Sequence, residues 1–283
     1  MAEINGTLIS AQDCKDSLDQ EPVILDCRFQ LMNTDAGRLS YEISHIPTAQ
    51  YVHLDEDCSG SITEKTGRHP LPELSVFLQK VASWGITSNS QVILYDDQSG
   101  AIAARVWWML RSIGVQNTAI LDGGFPYWQR LSFPVTREIT PPSSAALLET
   151  HSNWQIMTTE QIRKIIRNPD YLLVDARAED RYKGIIEPID PVAGHIPSAI
   201  NRFHGLNFKS NGCFKSAETL RQEYFDLLSG YSPSQTIVYC GSGVTSCVDL
   251  LAMEIAGLPG AALYAGSWSE WIRDPENPIS KCD

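Results

Sequence analysis

Short apolar segments alternate with longer amphipathic ones along most of the chain. The apolar segments are rich in Val, Ile, Leu and Tyr, as in PVILDC (22–27), QVILYD (91–96), TAILDGG (118–124), YLLVDA (171–176), QTIVYC (235–240) and GAALYAG (260–266). Alternation of buried strands with helical segments is typical of parallel sheets whose strands are joined by helices. The pattern therefore predicts an α/β fold in which parallel sheets are flanked by helices.

The same pattern occurs twice, in the same order. VILDCRFQ (23–30) recurs as LLVDARAED (172–180), EISHIPTAQ (42–50) as VAGHIPSAI (192–200), and AILDGGFPYWQR (119–130) as AALYAGSWSEWIR (261–273). A repeat of this length indicates a duplicated domain rather than a solenoid. We predict tandem domains over 1–132 and 156–283, joined by a linker at 133–155 that is rich in proline and small polar residues.

The best candidate for chemistry is Cys240, which follows a predicted strand and precedes a helical segment. Ligands of open parallel sheets bind beyond the carboxyl ends of the strands. The loop after Cys240 consists of Gly241, Ser242, Gly243, Val244 and Thr245. Its two glycines allow the backbone N–H groups to point inward, and the following helix adds the positive end of its dipole. We predict that this loop stabilises a thiolate on Cys240, and that the nucleophile needs no neighbouring base.

The first copy has Asp96 where the second has Cys240. We therefore predict that the first domain is catalytically silent and that the second carries the nucleophile. The alternative for Cys240 is a buried cysteine beside a tight turn, a common role for a free thiol. A phosphatase loop of the C-x5-R type is improbable, because Ser246 stands where that loop needs its arginine.

Composition narrows the class of protein. The net charge of −12 argues against binding to nucleic acid or to an anionic membrane surface. Apolar runs are too short for a transmembrane helix, and the N-terminus lacks a targeting pattern, so we expect a cytoplasmic protein.

The seven cysteines include no C-x-x-C pair and no cluster with histidine. A metal site is therefore not predicted, and neither is a disulfide framework.

The tandem HIP motifs, the loop CGSGVTS and the later YAGSWSEW together resemble the two-domain rhodanese family of sulfurtransferases. The resemblance covers nearly the whole chain, and the loop is most similar to that of the members that use 3-mercaptopyruvate. It implies a cofactor-free, monomeric enzyme. Cys240 would take sulfur from 3-mercaptopyruvate as a persulfide, release pyruvate, and pass the sulfur to cyanide or to a thiol such as thioredoxin.

The resemblance also implies roles for individual residues. Residues 241–245 would cradle the persulfide, Ser242 would relay a proton to the departing enolate, and Arg181 would bind the substrate carboxylate. In the first domain, Asp55 and His69 match residues proposed to act with the loop serine, and Arg105 matches a substrate-facing position. His45, His195 and Arg177 are expected to be structural.

The chain departs from the mercaptopyruvate enzymes at one position. They carry a second substrate-binding arginine just before the second HIP motif, where this chain has Ile189 or Asp190. Lys183 and Arg202 are the candidates to replace it. Two alternatives therefore stay open: a thiosulfate sulfurtransferase, which would need positive charge beside Cys240, and a non-catalytic persulfide carrier or regulatory module.

Overall fold

The computed structural model describes residues 6–139, 141, 144–150 and 156–282, so the predicted linker 133–155 lies partly outside the described residues. Contacts group the chain into two units. The first takes in the described residues up to Ser59, those from Pro72 to Thr150, and Phe208–Phe214. The second takes in Gly60–Leu71, the described residues from Ile156 to Asn207, and those from Lys215 onwards. The segment Gly60–Leu71, which the repeat pattern places in the N-terminal domain, thus packs with the second unit.

The first unit is a five-stranded, wholly parallel sheet with the strand order β1-β5-β4-β2-β3. Its strands are β1 (Leu8–Ile9), β2 (Val23–Asp26), β3 (Gln50–Tyr51), β4 (Val92–Tyr95) and β5 (Thr118–Leu121). Its helices are α1 (Ala11–Ser17), α2 (Ala36–Ile43), α3 (Leu54–Asp57), α4 (Leu74–Ser83), α5 (Ala103–Ser112) and α6 (Gly124–Arg130), with a 3-10 turn at Leu18–Gln20. Every residue of β4 and β5 is buried, as expected for a parallel strand covered on both faces.

The second unit repeats this arrangement with the strand order β7-β6-β8-β9. Its strands are β6 (Leu172–Asp175), β7 (Ile200–Asn201), β8 (Thr236–Tyr239) and β9 (Ala262–Leu263). Its helices are α7 (Thr159–Ile165), α8 (Glu179–Lys183), α9 (Ala217–Leu228), α10 (Ser246–Ile255) and α11 (Ser267–Trp271), with 3-10 turns at His204–Asn207 and Pro233–Gln235. Ile156 forms a parallel bridge to Leu263, at the edge where β1 pairs with β5 in the first unit. The α/β fold with two parallel sheets flanked by helices is confirmed.

The histidines of the two HIP motifs have equivalent surroundings. His45 stacks on Tyr41 and His195 on Tyr182, each with ring centroids 4.0 Å apart. The Nδ1 atom of each ring is 2.7 Å from the carbonyl oxygen of the same tyrosine. Because the contacts are the same in both copies, they support the structural role that the sequence predicted for both histidines.

A buried aspartate–arginine pair also occurs in each copy. Arg28 Nη2 lies 2.6 Å from Asp26 Oδ2, and Arg177 Nη2 lies 2.6 Å from Asp175 Oδ2. Breaking such a pair on one side would leave an uncompensated buried charge. Arg177 is therefore held in the fold by its own ion pair, as predicted.

The core of the second unit fixes the loop that follows β8. Trp268 and Trp271 of α11 are fully buried in this core, together with Tyr239 and Tyr264.

None of the described helices is both long and apolar enough to cross a membrane.

Candidate active site

Cys240 lies at the carboxyl end of β8, between the neighbouring strands β6 and β9. Its side chain is almost wholly enclosed, with the residue only 1% exposed. The start of α11 holds the backbone on both sides of it. The N–H group of Cys240 donates to Ser267 Oγ at 3.1 Å, while the carbonyl groups of Cys240 and Gly241 accept from the N–H groups of Trp268 at 3.0 Å and Ser269 at 2.9 Å. The loop is therefore anchored before it turns into α10.

The Cys240 thiol is surrounded by hydrogen-bond donors. The Gly243 N–H group donates to Cys240 Sγ at 3.2 Å. Burial raises the pKa of this thiol, but the hydroxyl groups of Ser246 and Thr245 and the N–H groups of Ser242 and Ser246 outweigh that effect and lower the pKa below its usual value. Cys240 is thus favoured as a thiolate at lower pH than a free cysteine, as the sequence predicted for a nucleophile.

Ser246 is a part of this cradle that the sequence did not identify. Its hydroxyl group is fully buried and, among the described residues, has no hydrogen-bond partner. The hydroxyl nevertheless lowers the pKa of Cys240, which indicates that it lies close to the sulfur. The sequence did hold a signal, because Ser246 is the first residue of α10 and helix N-termini present unpaired donors.

Replacing Ser246 by alanine is expected to raise the pKa of Cys240. This hydroxyl is one of the groups that lower the pKa of Cys240, so its removal takes away a stabilising interaction with the thiolate. The midpoint of the rate of Cys240 alkylation by iodoacetamide, plotted against pH, would then move to higher pH. The exposed Ser234, replaced by alanine, is the matched control and should leave the midpoint in place. An unchanged midpoint in Ser246→Ala would contradict the contribution assigned to this hydroxyl.

Gly243 gives the loop its shape. Its φ of +75° lies in the left-handed region, where residues other than glycine are strained. A Cβ at this position would lie 2.2 Å from the carbonyl oxygen of Ala265. Glycine is therefore required here both by the left-handed backbone and by the close approach of Ala265. The turn at Gly243 brings its N–H group to the sulfur of Cys240.

The corresponding loop of the first unit holds a carboxylate group in place of the thiol. Asp96 Oδ1 accepts from the N–H groups of Gln98 at 2.8 Å and Gly100 at 2.7 Å. Its Oδ2 atom accepts from Ile102 at 2.8 Å and Ala103 at 2.9 Å. Burial raises the pKa of Asp96, and these four donors oppose that rise. Both copies thus direct loop N–H groups at the residue that follows β4 or β8, which is a carboxylate in the first copy and a thiol in the second.

Ser242 and His69 form a buried pair beside the thiol. Ser242 Oγ and His69 Nδ1 are hydrogen-bonded at 2.7 Å, and both residues are less than a tenth exposed. His69 belongs to the segment Gly60–Leu71, which contacts place in the second unit. The pair can move a proton between the imidazole and the space next to Cys240.

Arg181 on α8 lies beside the loop and is held by two carboxylates. Its Nη2 atom is 2.7 Å from Glu187 Oε1 and 3.2 Å from Asp190 Oδ2. Burial raises the pKa of Glu187, but hydrogen bonds from Arg181 and from backbone N–H groups hold it below its usual value. A Cβ on Gly241 would lie 3.6–3.7 Å from the Arg181 Nη atoms, so the guanidinium is next to the residue after Cys240.

A second guanidinium, that of Arg68, also lies at this loop. Arg68 Nη1 forms an ion pair with Asp190 Oδ1, and Arg68 Nη2 is 2.9 Å from the place that a Gly241 Cβ would occupy. The sequence pointed instead to Lys183 or Arg202 as the replacement cation. Lys183 is paired with Glu179 at 2.6 Å, and Arg202 with Glu223 at 3.0 Å. The side-chain atoms nearest to that place belong to Arg68 and Arg181, so Arg68 joins Lys183 and Arg202 as a candidate for the second cation.

Two of the predicted site residues belong to the first unit. Asp55 lies in the first turn of α3, where its N–H group donates to His53 Nδ1 at 3.2 Å. Arg105 is fully buried on α5. Burial and the neighbouring Asp57 raise the pKa of Cys58, whereas the Arg105 guanidinium lowers it. The catalytic and substrate-binding roles of Asp55 and Arg105 stay predictions.

The sequence model of the rhodanese-like domain matches this chain twice, over residues 10–131 and 158–274. The chain belongs to the rhodanese family. The two matches coincide with the two copies recognised from the repeated motifs.

Relatives of this rhodanese extend over almost the whole chain. A probable 3-mercaptopyruvate sulfurtransferase of Pseudomonas aeruginosa is 39% identical over 99% of this chain and 99% of its own length. A putative thiosulfate sulfurtransferase of Mycobacterium tuberculosis is 35% identical over 92% of each chain. Among solved structures, the 3-mercaptopyruvate sulfurtransferase of Leishmania major superposes with a TM-score of 0.84 at 27% identity, covering 94% of this chain and 74% of that one.

The site of this rhodanese is built from side chains and backbone of the second unit. Cys240, Ser242, His69 and Arg181, all predicted from the sequence, lie together around the loop. Arg68, Ser246 and the two carboxylates on Arg181 complete it. No group of three or more His, Cys, Asp or Glu side chains in the described part of the chain is arranged to hold a metal ion.

Proposed function

We propose that this member of the rhodanese family is a sulfurtransferase that takes sulfur from 3-mercaptopyruvate and transfers it through a persulfide on Cys240. The observation that carries the proposal is the guanidinium of Arg181 beside Gly241, one residue from a thiol whose pKa is lowered. A guanidinium suits a carboxylate, which 3-mercaptopyruvate carries next to its keto group. The loop itself, residues 241–245, contains no cation.

In the first half-reaction, the Cys240 thiolate attacks the sulfur of 3-mercaptopyruvate. The carbon–sulfur bond breaks, and its electron pair leaves as the enolate of pyruvate. Ser242, hydrogen-bonded to His69, relays a proton to this enolate, which departs as pyruvate. The outer sulfur of the persulfide then lies among the loop N–H and hydroxyl groups that stabilise the thiolate before the reaction.

In the second half-reaction, a nucleophilic acceptor attacks the outer sulfur, and Cys240 returns to the thiolate. The acceptor is a thiol, such as that of a thioredoxin-like protein, or cyanide. Because the cradle stabilises negative charge on the inner sulfur, it favours Cys240 as the leaving group in this step. The same loop thus assists both half-reactions.

Measurement of both donors tests the proposal. We expect kcat/KM for 3-mercaptopyruvate to exceed that for thiosulfate by at least about tenfold, the ratio that corresponds to roughly 1.4 kcal/mol in transition-state binding. Mass spectrometry of the intact protein should show one sulfur gained on Cys240, removable by a reductant, with release of an equal amount of pyruvate. A larger kcat/KM with thiosulfate would assign the protein to the alternative donor. Sulfur loading without turnover would indicate a carrier.

A further inference from the structure

The guanidinium of Arg68 has an unused hydrogen-bonding edge. Its Nη1 atom forms an ion pair with Asp190 Oδ1. Its Nε atom is buried and, within the described residues, has no hydrogen-bond partner. Nε and Nη2 form one edge of the planar guanidinium, which is the arrangement that binds a carboxylate through two parallel hydrogen bonds. An unsatisfied buried donor is costly unless a ligand or water accepts from it.

One atom of this edge, Nη2, lies beside the residue that follows Cys240. Arg68 Nη2 is closer to the Gly241 Cβ position than either Nη atom of Arg181 is, at 2.9 Å against 3.6 and 3.7 Å. Asp190 joins the two guanidiniums, since its two oxygens accept from Arg68 and from Arg181 respectively. The ion pairs with Asp190 therefore orient both cations towards the residue that follows Cys240.

The orientation depends on the segment that carries Arg68. The Arg68 N–H group donates to Ser269 Oγ at 3.1 Å, and Arg273 Nε donates to the carbonyl of Thr66 at 3.1 Å. A Cβ on Gly67 would lie 2.7 Å from the carbonyl oxygen of Gly266, so the backbone passes close to the start of α11. Arg68 is thus fixed on the same helix start that anchors the Cys240 loop.

We propose that Arg68 is the second carboxylate-binding residue of this site and takes the place of the arginine that the chain lacks at Ile189. Asp190, which stands beside that position, holds Arg68 rather than substrate. The donor carboxylate is bound by Arg68 through Nε and Nη2, and by Arg181 through Nη1. The assignment rests on the proposed function for the identity of the donor, but the recognition of a carboxylate next to Cys240 is tested without it.

The test compares two alkylating reagents of nearly equal size. Iodoacetate carries a carboxylate and iodoacetamide a neutral amide, and both react with the Cys240 thiolate. A change in the Cys240 pKa alters both rates equally, so the ratio of the two rates reports carboxylate recognition alone. We expect Arg68→Gln to lower the iodoacetate-to-iodoacetamide ratio by about 10-fold or more. Arg68→Lys should lower it less, because an ammonium keeps the charge and loses the two-point geometry.

Arg163→Gln is the matched control, because Arg163 is paired with Asp274 in the same unit and is placed outside the site. It should leave the ratio unchanged. In steady state, Arg68→Gln should raise KM for 3-mercaptopyruvate about 10-fold with a smaller change in kcat. The urea unfolding midpoint of each variant checks that it is folded. If Arg68→Gln does not fold, the alkylation ratio and KM of Arg68→Lys provide the test.

The failures of the two proposals are distinguishable. If the wild-type protein shows no turnover with 3-mercaptopyruvate and Arg68→Gln still lowers the alkylation ratio, the assignment of Arg68 stands and the proposed donor is wrong. If turnover is normal, but neither the ratio nor KM changes in the folded Arg68 variants, Arg68 has no part in carboxylate binding.

Discussion

Replacing Cys240 by serine is expected to abolish sulfur transfer, lowering kcat/KM by at least about 10⁴-fold, the scale seen when a catalytic nucleophile is removed. A hydroxyl group cannot form the persulfide, so sulfur transfer through this intermediate is lost entirely. The Ser246, Thr245 and backbone donors that stabilise the thiolate would surround a neutral hydroxyl group with an ordinary, much higher pKa. Steady-state rates with 3-mercaptopyruvate measure the loss, and mass spectrometry of the intact variant should show no sulfur gained.

Cys282→Ser is the matched control for this substitution. Cys282 is the exposed cysteine of the second unit, whereas the other six are buried. Its replacement should leave both the rate and the sulfur loading of Cys240 unchanged. Retention of more than about a tenth of the wild-type activity in Cys240→Ser would place the nucleophile elsewhere and would overturn the mechanism proposed for the loop.

Replacing Gly243 by alanine is expected to lower kcat/KM by about 10²–10³-fold, the scale of removing one donor to a developing anion. The added Cβ would meet the Ala265 carbonyl oxygen at 2.2 Å, and that oxygen belongs to backbone that cannot rotate away. The loop must then shift, which moves the Gly243 N–H group off Cys240 Sγ. The thiol pKa rises as a result, and alkylation of Cys240 at neutral pH slows together with turnover.

Gly257→Ala separates this collision from backbone strain. Gly257 lies just beyond α10 with a φ of +72°, close to the +75° of Gly243, but its Cβ would have only Arg221 Nη1 nearby, at 3.8 Å. Both variants should lose about 1–2 kcal/mol of unfolding free energy from the left-handed backbone, measured in urea, and Gly243→Ala should lose more because of its collision with Ala265. Only Gly243→Ala should lose activity. Equal activities in the two variants would show that the loop geometry does not control the sulfur.

The sequence alone was sufficient for the architecture and for naming a candidate nucleophile. The repeated strands are short apolar runs that a parallel sheet buries on both faces, so local composition is enough to recognise them. The duplication then provided an internal comparison, in which Asp96 and Cys240 occupy one position and the two HIP histidines another. Cys240 was identified because strand end, glycines and helix start are adjacent along the chain.

Residues that act together but are distant in sequence were harder to predict. His69, 173 residues before Ser242, was named through the family resemblance. Arg68, its direct neighbour, is not predicted by the sequence, because a lone arginine in a loop is most often on the surface. Ser246 stands where a phosphatase loop would have arginine, and no local pattern connects its hydroxyl group with the sulfur.

What the sequence determined by itself is therefore the fold and the duplication, which depend on local patterns and on comparing one copy with the other. The same comparison named Cys240 as the candidate nucleophile, and the family resemblance named Arg181 as the first carboxylate-binding candidate. What only the tertiary structure decided is the charge arrangement around Gly241. Asp190, which the sequence marked as the loss of a cation, is the carboxylate that positions Arg68 and Arg181. The physical reason is that ion pairing depends on side-chain distances across 122 residues of chain, and no local pattern encodes those distances.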